Sequence, residues 1–226
     1  MVLVLLLGLA VVADRVALGI AEDSVGQELA ARGGLQARPG VDITGFPFLT
    51  QALAGRYDDV RLSLSAGQLG QPEGTRADVS LRGVEVPLAD VLSGSVQQIP
   101  VRRIEGTATV SYPLLASPLG PDTTLRPEGD QLRITRTVEL LGQQVPLTAA
   151  GRVTVEGDEL VVDVGSADGA GLELPGFLVE RAGDLLDLRY PVPALPFGLR
   201  LTAVTPGADG VVLTLAAENT VVEAVE

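Results

Sequence analysis

Apolar and polar residues alternate along most of this chain, which is the pattern of half-buried β-strands. The alternation begins with Val60, Leu62 and Leu64 on one face, while Arg61 and Ser63 lie on the other. The same pattern returns in residues 104–112, 132–140, 145–155, 160–164, 199–204 and 211–217. Because each strand has one apolar and one polar face, the pattern predicts antiparallel sheets with one side in water.

Two irregularities divide this pattern. Between Leu81 and Val84 the apolar positions slip by one residue at Arg82-Gly83, which predicts a β-bulge or a strand end. A turn-rich break at residues 117–129 separates two β-rich halves. We expect one elongated domain spanning residues 14–217, followed by a C-terminal tail at residues 218–226.

Helical spacing is limited to the N-terminal region and three short segments. Between residues 14 and 35, apolar residues recur three or four positions apart until Gly33-Gly34, which predicts one amphipathic helix. Shorter helices are predicted for residues 48–54, 87–92 and 177–188. The elements together predict an α+β fold, mainly antiparallel β, with a long N-terminal helix and a few short helices.

The first thirteen residues are all apolar or Gly, which is typical of a signal peptide or a membrane anchor. They are fewer than the roughly 18 residues that span a bilayer, and no basic residue precedes Arg15. A buried N-terminal helix of a soluble domain is the alternative. The N-terminus therefore favours an extracytoplasmic protein, in the periplasm or cell envelope, that is secreted or anchored.

Composition restricts both the interior and the chemistry. Hydrophobic residues make up 46% of the chain and aromatic residues only 3%, so a buried cavity would be aliphatic. Cys and His are absent, which excludes thiol and imidazole catalysis and most zinc sites. The adjacent carboxylates Asp58 and Asp59 point to opposite faces of a strand, and Asp163 to Gly169 lacks ligands that a calcium loop needs. We predict no catalytic residue, no metal, no cofactor and no enzyme activity.

The formal charge of −13 argues against nucleic acid as a partner and against electrostatic adsorption to an anionic membrane. Contact with a membrane surface would have to be made by apolar loops. All four Phe residues, Phe46, Phe48, Phe177 and Phe197, stand beside Pro or Gly at expected chain corners. All four would line the mouth or floor of a cavity or close the ends of a sheet, and Phe46, Phe48 and Phe197 would also insert into a membrane.

Small residues stand on strand faces where bulk is expected. Ala108 follows Gly106 in one strand, and Ala149 precedes Gly151 in another. Because protein interiors are close-packed, such positions receive either a helix or a ligand of matching character. Acyl chains match an aliphatic lining, and docking of the N-terminal helix is the alternative.

Several strings resemble the LmeA family of phospholipid-binding proteins. GFPFLTQ at Gly45 to Gln51 and GRYDDV at Gly55 to Val60 resemble the start of the family's domain. LRGVEVPLADVLSG, EGTATVSYPLL and LPFGLRLTAVTPGADGV follow in the family's order, so the resemblance covers roughly Ala13 to Ala217.

The resemblance implies an extracytoplasmic protein that binds a phospholipid or similar amphiphile, with a fold like that of tubular lipid-binding proteins. It also implies a role as a lipid carrier or as an accessory factor in envelope lipid or lipoglycan metabolism, such as lipomannan elongation. The expected lipid-binding residues are Phe46, Phe48, Leu49, Leu53, Tyr57, Leu81, Leu88, Leu92, Ala108, Ala149, Phe177 and Phe197. A structural or adhesion module of the envelope and a carboxylate-dependent envelope hydrolase are the alternative hypotheses.

Overall fold

Two antiparallel sheets make up most of the chain that the computed structural model describes, which is residues 1–120, 122–140, 143–156, 159–169, 172–173, 189–191 and 198–223. The helices are α1 (Val2–Arg32), α2 (Phe48–Ala54), α3 (Ala66–Leu69), α4 (Leu88–Ser93) and α5 (Tyr112–Ala116), followed by a 3-10 turn at Ser117–Leu119. The predicted α+β fold, mainly antiparallel β, is confirmed.

Sheet A has six strands in the order β1 (Gly40–Thr44), β2 (Arg56–Ser65), β3 (Arg76–Glu85), β4 (Gln98–Ser111), β12 (Gly210–Glu223) and β11 (Arg200–Pro206). Sheet B has the order β10 (Arg189–Pro191), β8 (Glu159–Gly169), β7 (Gln143–Glu156), β6 (Gln131–Leu140) and β5 (Thr123–Glu128), and β9 (Leu172–Glu173) pairs with β8. The predicted helix at residues 177–188 lies outside the described residues. Residues 117–129 were predicted to be a break, but β5 forms within them.

The strand register places aliphatic residues of all the central strands on one face of sheet A. This inner face consists of Val41, Ile43, Val60, Leu62, Leu64, Ala77, Val79, Leu81, Ile104, Gly106, Ala108, Val110, Val211, Leu213, Leu215 and Ala217. The outer face carries the intervening residues, such as Arg61, Asp78, Glu105 and Thr107. The alternation in the sequence thus becomes one apolar and one polar side of the sheet.

At one end of sheet A, the inner face packs against sheet B. The junction cluster there contains Tyr112, Leu115, Ala116, Leu125, Leu132, Ile134, Leu147, Ala149, Val211 and Leu213. Tyr112 also donates a hydrogen bond from its hydroxyl to the Gly207 carbonyl at 2.6 Å. Burial raises the pKa of Tyr112 above its usual 10, as does the nearby Asp209, while the bond to Gly207 lowers it. The hydroxyl therefore remains a donor at neutral pH.

Near the opposite end of sheet A, one row of residues interrupts the alternation. The strands on its two sides therefore present a different set of alternate residues to the core. Gly83 and Asn219 have positive φ angles of 63° and 48°, and both drop out of the pairing beside Arg102 of the central strand β4. On one side of the row Leu81 and Ile104 face the core, and on the other side Val84 does so. All belong to a central cluster made of Val84, Val101, Ile104 and Ala217, with Tyr57, Val60, Val79, Leu81, Val86, Ile99, Leu199 and Val222 packed against it.

This face switch explains two differences from the sequence prediction. The slip at Arg82-Gly83 is an unpaired residue that leaves the register between β3 and β4 unchanged. Residues 218–226 were predicted to be a tail, but β12 continues to Glu223, paired with Gln98 of β4. The alternation in the sequence ends at Ala217 because the switch at Asn219 reverses its phase.

Replacing Gly83 with Ala should lower stability by more than the same change at Gly129. Both glycines have a φ of 63°, where a side chain costs about 1–2 kcal/mol. An added Cβ at Gly83 would also lie 3.0 Å from the Arg102 Cβ, whereas Gly129 has open space. Urea unfolding of the two variants measures the difference, and equal losses would show that the sheet accommodates the contact at Gly83.

Candidate functional site

Helices α2 and α4 lie together at the end of sheet A opposite sheet B. Helix α2 connects β1 to β2 and α4 connects β3 to β4, so both cross the same ends of their strands. Gly55, the left-handed residue that ends α2, approaches Pro87 so closely that a Cβ would lie 3.0 Å from its Cα. The Val86 N–H donates to the Gly55 carbonyl at 2.9 Å, which joins the two connections.

This region, comprising Phe46, α2 and α4, is called the α2–α4 end. Its surface is apolar: Phe46, Leu53 and Leu92 are 62%, 75% and 79% exposed. Leu49 and Val91 are also exposed. Side chains of this size usually contribute to a core, so their exposure on adjoining helices marks an interaction surface.

The GFPFLTQ string has a structural basis in the loop that precedes α2. Gly45 has a φ of 106°, and a Cβ there would lie 2.5 Å from the Gln51 Nε2. The Gln51 amide donates to the Thr44 carbonyl at 3.2 Å and accepts the Asp58 N–H at 3.0 Å. Gln51, a residue of α2, therefore links the end of β1 to the start of β2.

The second half of α1 packs beside α2. Ala17, Leu18 and Ala21 contact a helix cluster formed by Ile43, Phe48 and Ala52. Glu22 accepts the Ile43 N–H on its Oε1 at 2.9 Å, so it satisfies a donor on the edge strand β1. Helix α1 therefore covers this edge of sheet A as well as part of the inner face.

Asp14 connects α1 to the first turn of α2. Its carboxylate is only 2% exposed, and Oδ1 accepts the Leu49 N–H at 2.9 Å. The Arg15 guanidinium lies 3.3 Å from Oδ2 and 5.0 Å from the centre of the Phe46 ring. A carboxylate near a helix N-terminus is favourable, and so is a cation over an aromatic ring. Asp14 and Arg15 therefore fix α1 to the α2–α4 end.

Residues 2–12 of α1 extend beyond these contacts and are all exposed. The helix continues without interruption from Val2 to Arg32, and it is long and apolar enough to cross a membrane by length and composition. A signal sequence has the same properties. The helix is therefore compatible with a signal or an anchor, and its exposed part meets the domain at Asp14.

A row of inner-face residues crosses sheet A between the clusters. In register, Val41, Leu62, Val79, Gly106 and Leu215 are neighbours on five successive strands. Gly106 carries no side chain, so the central strand has a depression between Val79 and Leu215. We call the aliphatic residues around it the inner strip: Leu62, Leu64, Ala77, Val79 and Leu215.

The inner strip is incompletely covered. All five side chains are half-buried. Within the described part of the chain, Leu62, Leu64, Ala77 and Leu215 pack against none of the three clusters. Aliphatic surface of this kind can be covered by the acyl chain of a lipid, which gains about 25 cal/mol for each Å² removed from water.

Two open grooves have a different character. One of about 720 Å³ crosses sheet A at the level of the row that contains Leu62, Val79 and Leu215, and these residues contribute to its lining. Most of its lining residues belong to the outer face, including Asp42, Arg61, Asp78 and Glu105. The other, of about 320 Å³, lies along the face switch beside Arg102. Neither of them is the aliphatic cavity that the composition predicted. The described residues contain no group of three acidic residues that could hold a metal ion.

The structure brings together most of the residues predicted from the strings. Leu49, Leu53 and Phe46 form the exposed surface of the α2–α4 end, and Leu88 and Leu92 lie on the adjoining α4. Tyr57 lies beneath this end, its ring centre 6.2 Å from that of Phe48, and burial raises the pKa of its hydroxyl. Leu81 packs in the central cluster on the neighbouring strand β3.

Other expectations differ from the structure. Phe48 was expected to insert into a membrane, but it is 5% exposed and packs under α1, so that expectation is wrong. Ala149 belongs to the junction cluster and Ala108 packs against it, so protein side chains occupy their surroundings. Phe177 and Phe197 lie outside the described residues.

Sequence reasoning missed Asp14, Arg15 and the inner strip. The signal for the first two was present, because they are the only charged residues between Met1 and Ala21. No comparable signal marks Leu62 or Leu215, since alternation does not distinguish a covered position from a half-covered one.

A family model described as LmeA-like phospholipid-binding matches residues 12–216. The matched range covers most of the chain, and the resemblance seen in the sequence is confirmed. No curated protein and no solved structure shows a significant match. The likeness to tubular lipid-binding proteins therefore remains a prediction.

Replacing Asp14 with Ala should loosen the contact between α1 and α2. The change leaves the Leu49 N–H without its acceptor, which costs about 1–3 kcal/mol when the donor is shielded from water. Hydrogen exchange at the Leu49 amide should accelerate accordingly. Asp23→Ala, at an exposed position of the same helix, is the matched control. Unchanged exchange in the Asp14 variant would show that the hydrogen bond contributes nothing to docking.

Replacing Ala149 with Phe should destabilise the protein by about 1–3 kcal/mol, because this residue is buried within the junction cluster and a ring there overpacks its neighbours. Ala150→Phe, at the adjacent position on the opposite face of β7, should cost less. Thermal unfolding compares the two. A stable Ala149 variant that has lost bound phospholipid would instead place a ligand at this position.

Proposed function

The chain belongs to the LmeA-like phospholipid-binding family, and we propose that it is an extracytoplasmic phospholipid-binding protein held at the membrane by α1. The observation that carries the proposal is the inner strip, a half-covered aliphatic surface in the middle of sheet A. Its Leu, Val and Ala side chains match acyl chains and offer nothing to a glycan or a nucleic acid.

The inner face remains aliphatic along the strands from the inner strip to the central cluster, which borders the α2–α4 end. Leu62 lies six residues along β2 from Arg56, which corresponds to about 20 Å. The aliphatic Val60 and Leu81 occupy the inner face between them, beside the half-buried Tyr57. An acyl chain on the inner strip is therefore flanked by aliphatic side chains of the central cluster on the side toward the α2–α4 end.

We propose that the protein acts by binding rather than by catalysis. A carrier or accessory factor for envelope lipid or lipoglycan metabolism, such as lipomannan elongation, needs no catalytic residue. The absence of His and Cys from the chain supports this interpretation. Contact with the membrane surface is made by exposed apolar residues, since the charge of −13 opposes adsorption to anionic lipids.

Phospholipid should copurify with the full chain in roughly equimolar amount, and a double Leu62→Gln, Leu215→Gln variant should lose it. A fully buried Leu contributes about 1.5–3 kcal/mol, so loss of two acyl contacts should weaken binding by at least about tenfold. The measurement is organic extraction after transfer to a lipid-free detergent, with the lipid identified by mass spectrometry.

The matched control is Thr107→Gln, Thr214→Gln, a pair of register neighbours on the outer face of the same sheet. Thermal unfolding of both double variants checks that they remain folded. Equal lipid content in the two folded variants would exclude the inner strip as the binding surface, and absence of lipid from the wild-type chain would contradict the proposed function.

A further inference from the structure

Exposed apolar side chains are concentrated at one place on the domain. Among the described residues that follow α1, the large exposed apolar side chains are Phe46, Leu49, Leu53, Val91, Leu92, Val155 and Val221. The first five form the surface of the α2–α4 end. Val221 lies in β12 close to where that strand ends beside the start of β4, which is the same end of sheet A. Only Val155 of this group belongs to sheet B.

The exposed part of α1 begins at this same surface. Asp14 is the residue at which α1 enters the domain, and its carboxylate holds the Leu49 N–H of α2. Arg15 lies over the Phe46 ring. A bilayer that takes in residues 2–12 is therefore brought directly against Phe46 and Leu49.

We propose that the α2–α4 end inserts its exposed side chains into the bilayer surface beside α1, as a second membrane contact that fixes the orientation of the domain. The inference rests on the proposed membrane attachment and names its surface. Helices α2 and α4 lie in the headgroup region, and Leu53 and Leu92, the most exposed leucines of the pair, reach the acyl boundary. Sheet A then stands with its strand ends at the membrane and sheet B lies away from it.

The charges around this surface favour a bilayer contact driven by burial. Arg56 forms an exposed pair with Glu85 at 3.7 Å, and Asp14 faces Arg15, so these groups largely balance one another. Asp90 of α4 adds a negative charge. Contact with anionic lipid through this end therefore gains little from Coulomb attraction, and insertion should persist at high salt.

The chain contains no Trp, so single Trp substitutions report on one position each. Full-length Leu53→Trp and Leu92→Trp are reconstituted in phosphatidylcholine vesicles that carry bromine at defined acyl depths. Val155→Trp, an exposed apolar position in sheet B, is the matched control. We expect bromines near the glycerol end of the acyl chain to quench most of the emission at positions 53 and 92, and to leave position 155 unquenched at low and high salt.

Quenching at positions 53 and 92 that is no stronger than at position 155 would overturn the proposal. The chain also contains no Cys, so Leu53→Cys tests whether a second copy covers this surface instead. Efficient disulfide formation between copies, together with unquenched emission from the Leu53→Trp variant, would assign the surface to self-association. Phospholipid that copurifies with the same variants is extracted and measured before reconstitution, so a failure of membrane insertion is distinguishable from a failure of phospholipid binding.

Discussion

A six-stranded sheet with one continuous aliphatic face must have that face covered, and the rest of the structure follows from how this is done. Sheet B and α5 cover one end through the junction cluster, and α1 with α2 covers the edge near β1. The inner strip between them is left half-covered. With few rings in the chain, most of the cover consists of aliphatic side chains. A ligand made of methylene groups completes such a surface without any polar partner.

The position of α1 depends on polar contacts placed within an apolar setting. Asp14 and Glu22 each accept a backbone N–H from the domain, two turns apart along one side of the helix. An apolar helix could slide along an aliphatic surface with little loss, because hydrophobic contacts are not directional. The two carboxylates fix the position of α1 along its own axis, and residues 2–12 extend beyond the domain as a result. The boundary between the packed and exposed parts of the helix therefore coincides with the hydrogen bond at Asp14.

Local signals predicted much of the fold. Residues 48–54 were expected to form a helix from their apolar spacing, and Pro47 and Gly55 delimit that helix. Alternation predicted most of β2, β4, β11 and β12 in sheet A, whereas no range was predicted for β1 or β3. The extension of β12 beyond Ala217 was missed because Asn219 reverses the phase of the alternation. The residues of the α2–α4 end were predicted from contiguous strings, whereas the inner strip depends on pairing between distant strands. Leu62 and Leu215 belong to one row because the intervening strands pair them through Val79 and Gly106. No property of either leucine alone indicates this.

The uninterrupted helix from Val2 to Arg32 couples the orientation of the domain to that of residues 2–12. No Pro and no break lies between the exposed part of α1 and the part that is bonded to α2 and β1. The eleven residues 2–12 extend about 16 Å, roughly half of the hydrocarbon core of a bilayer. If they remain in the membrane, any tilt of this segment is passed on to sheet A, because the hydrogen bonds at Asp14 and Glu22 hold the domain to the same unbroken helix. The tilt would then alter how closely the inner face approaches the membrane lipids.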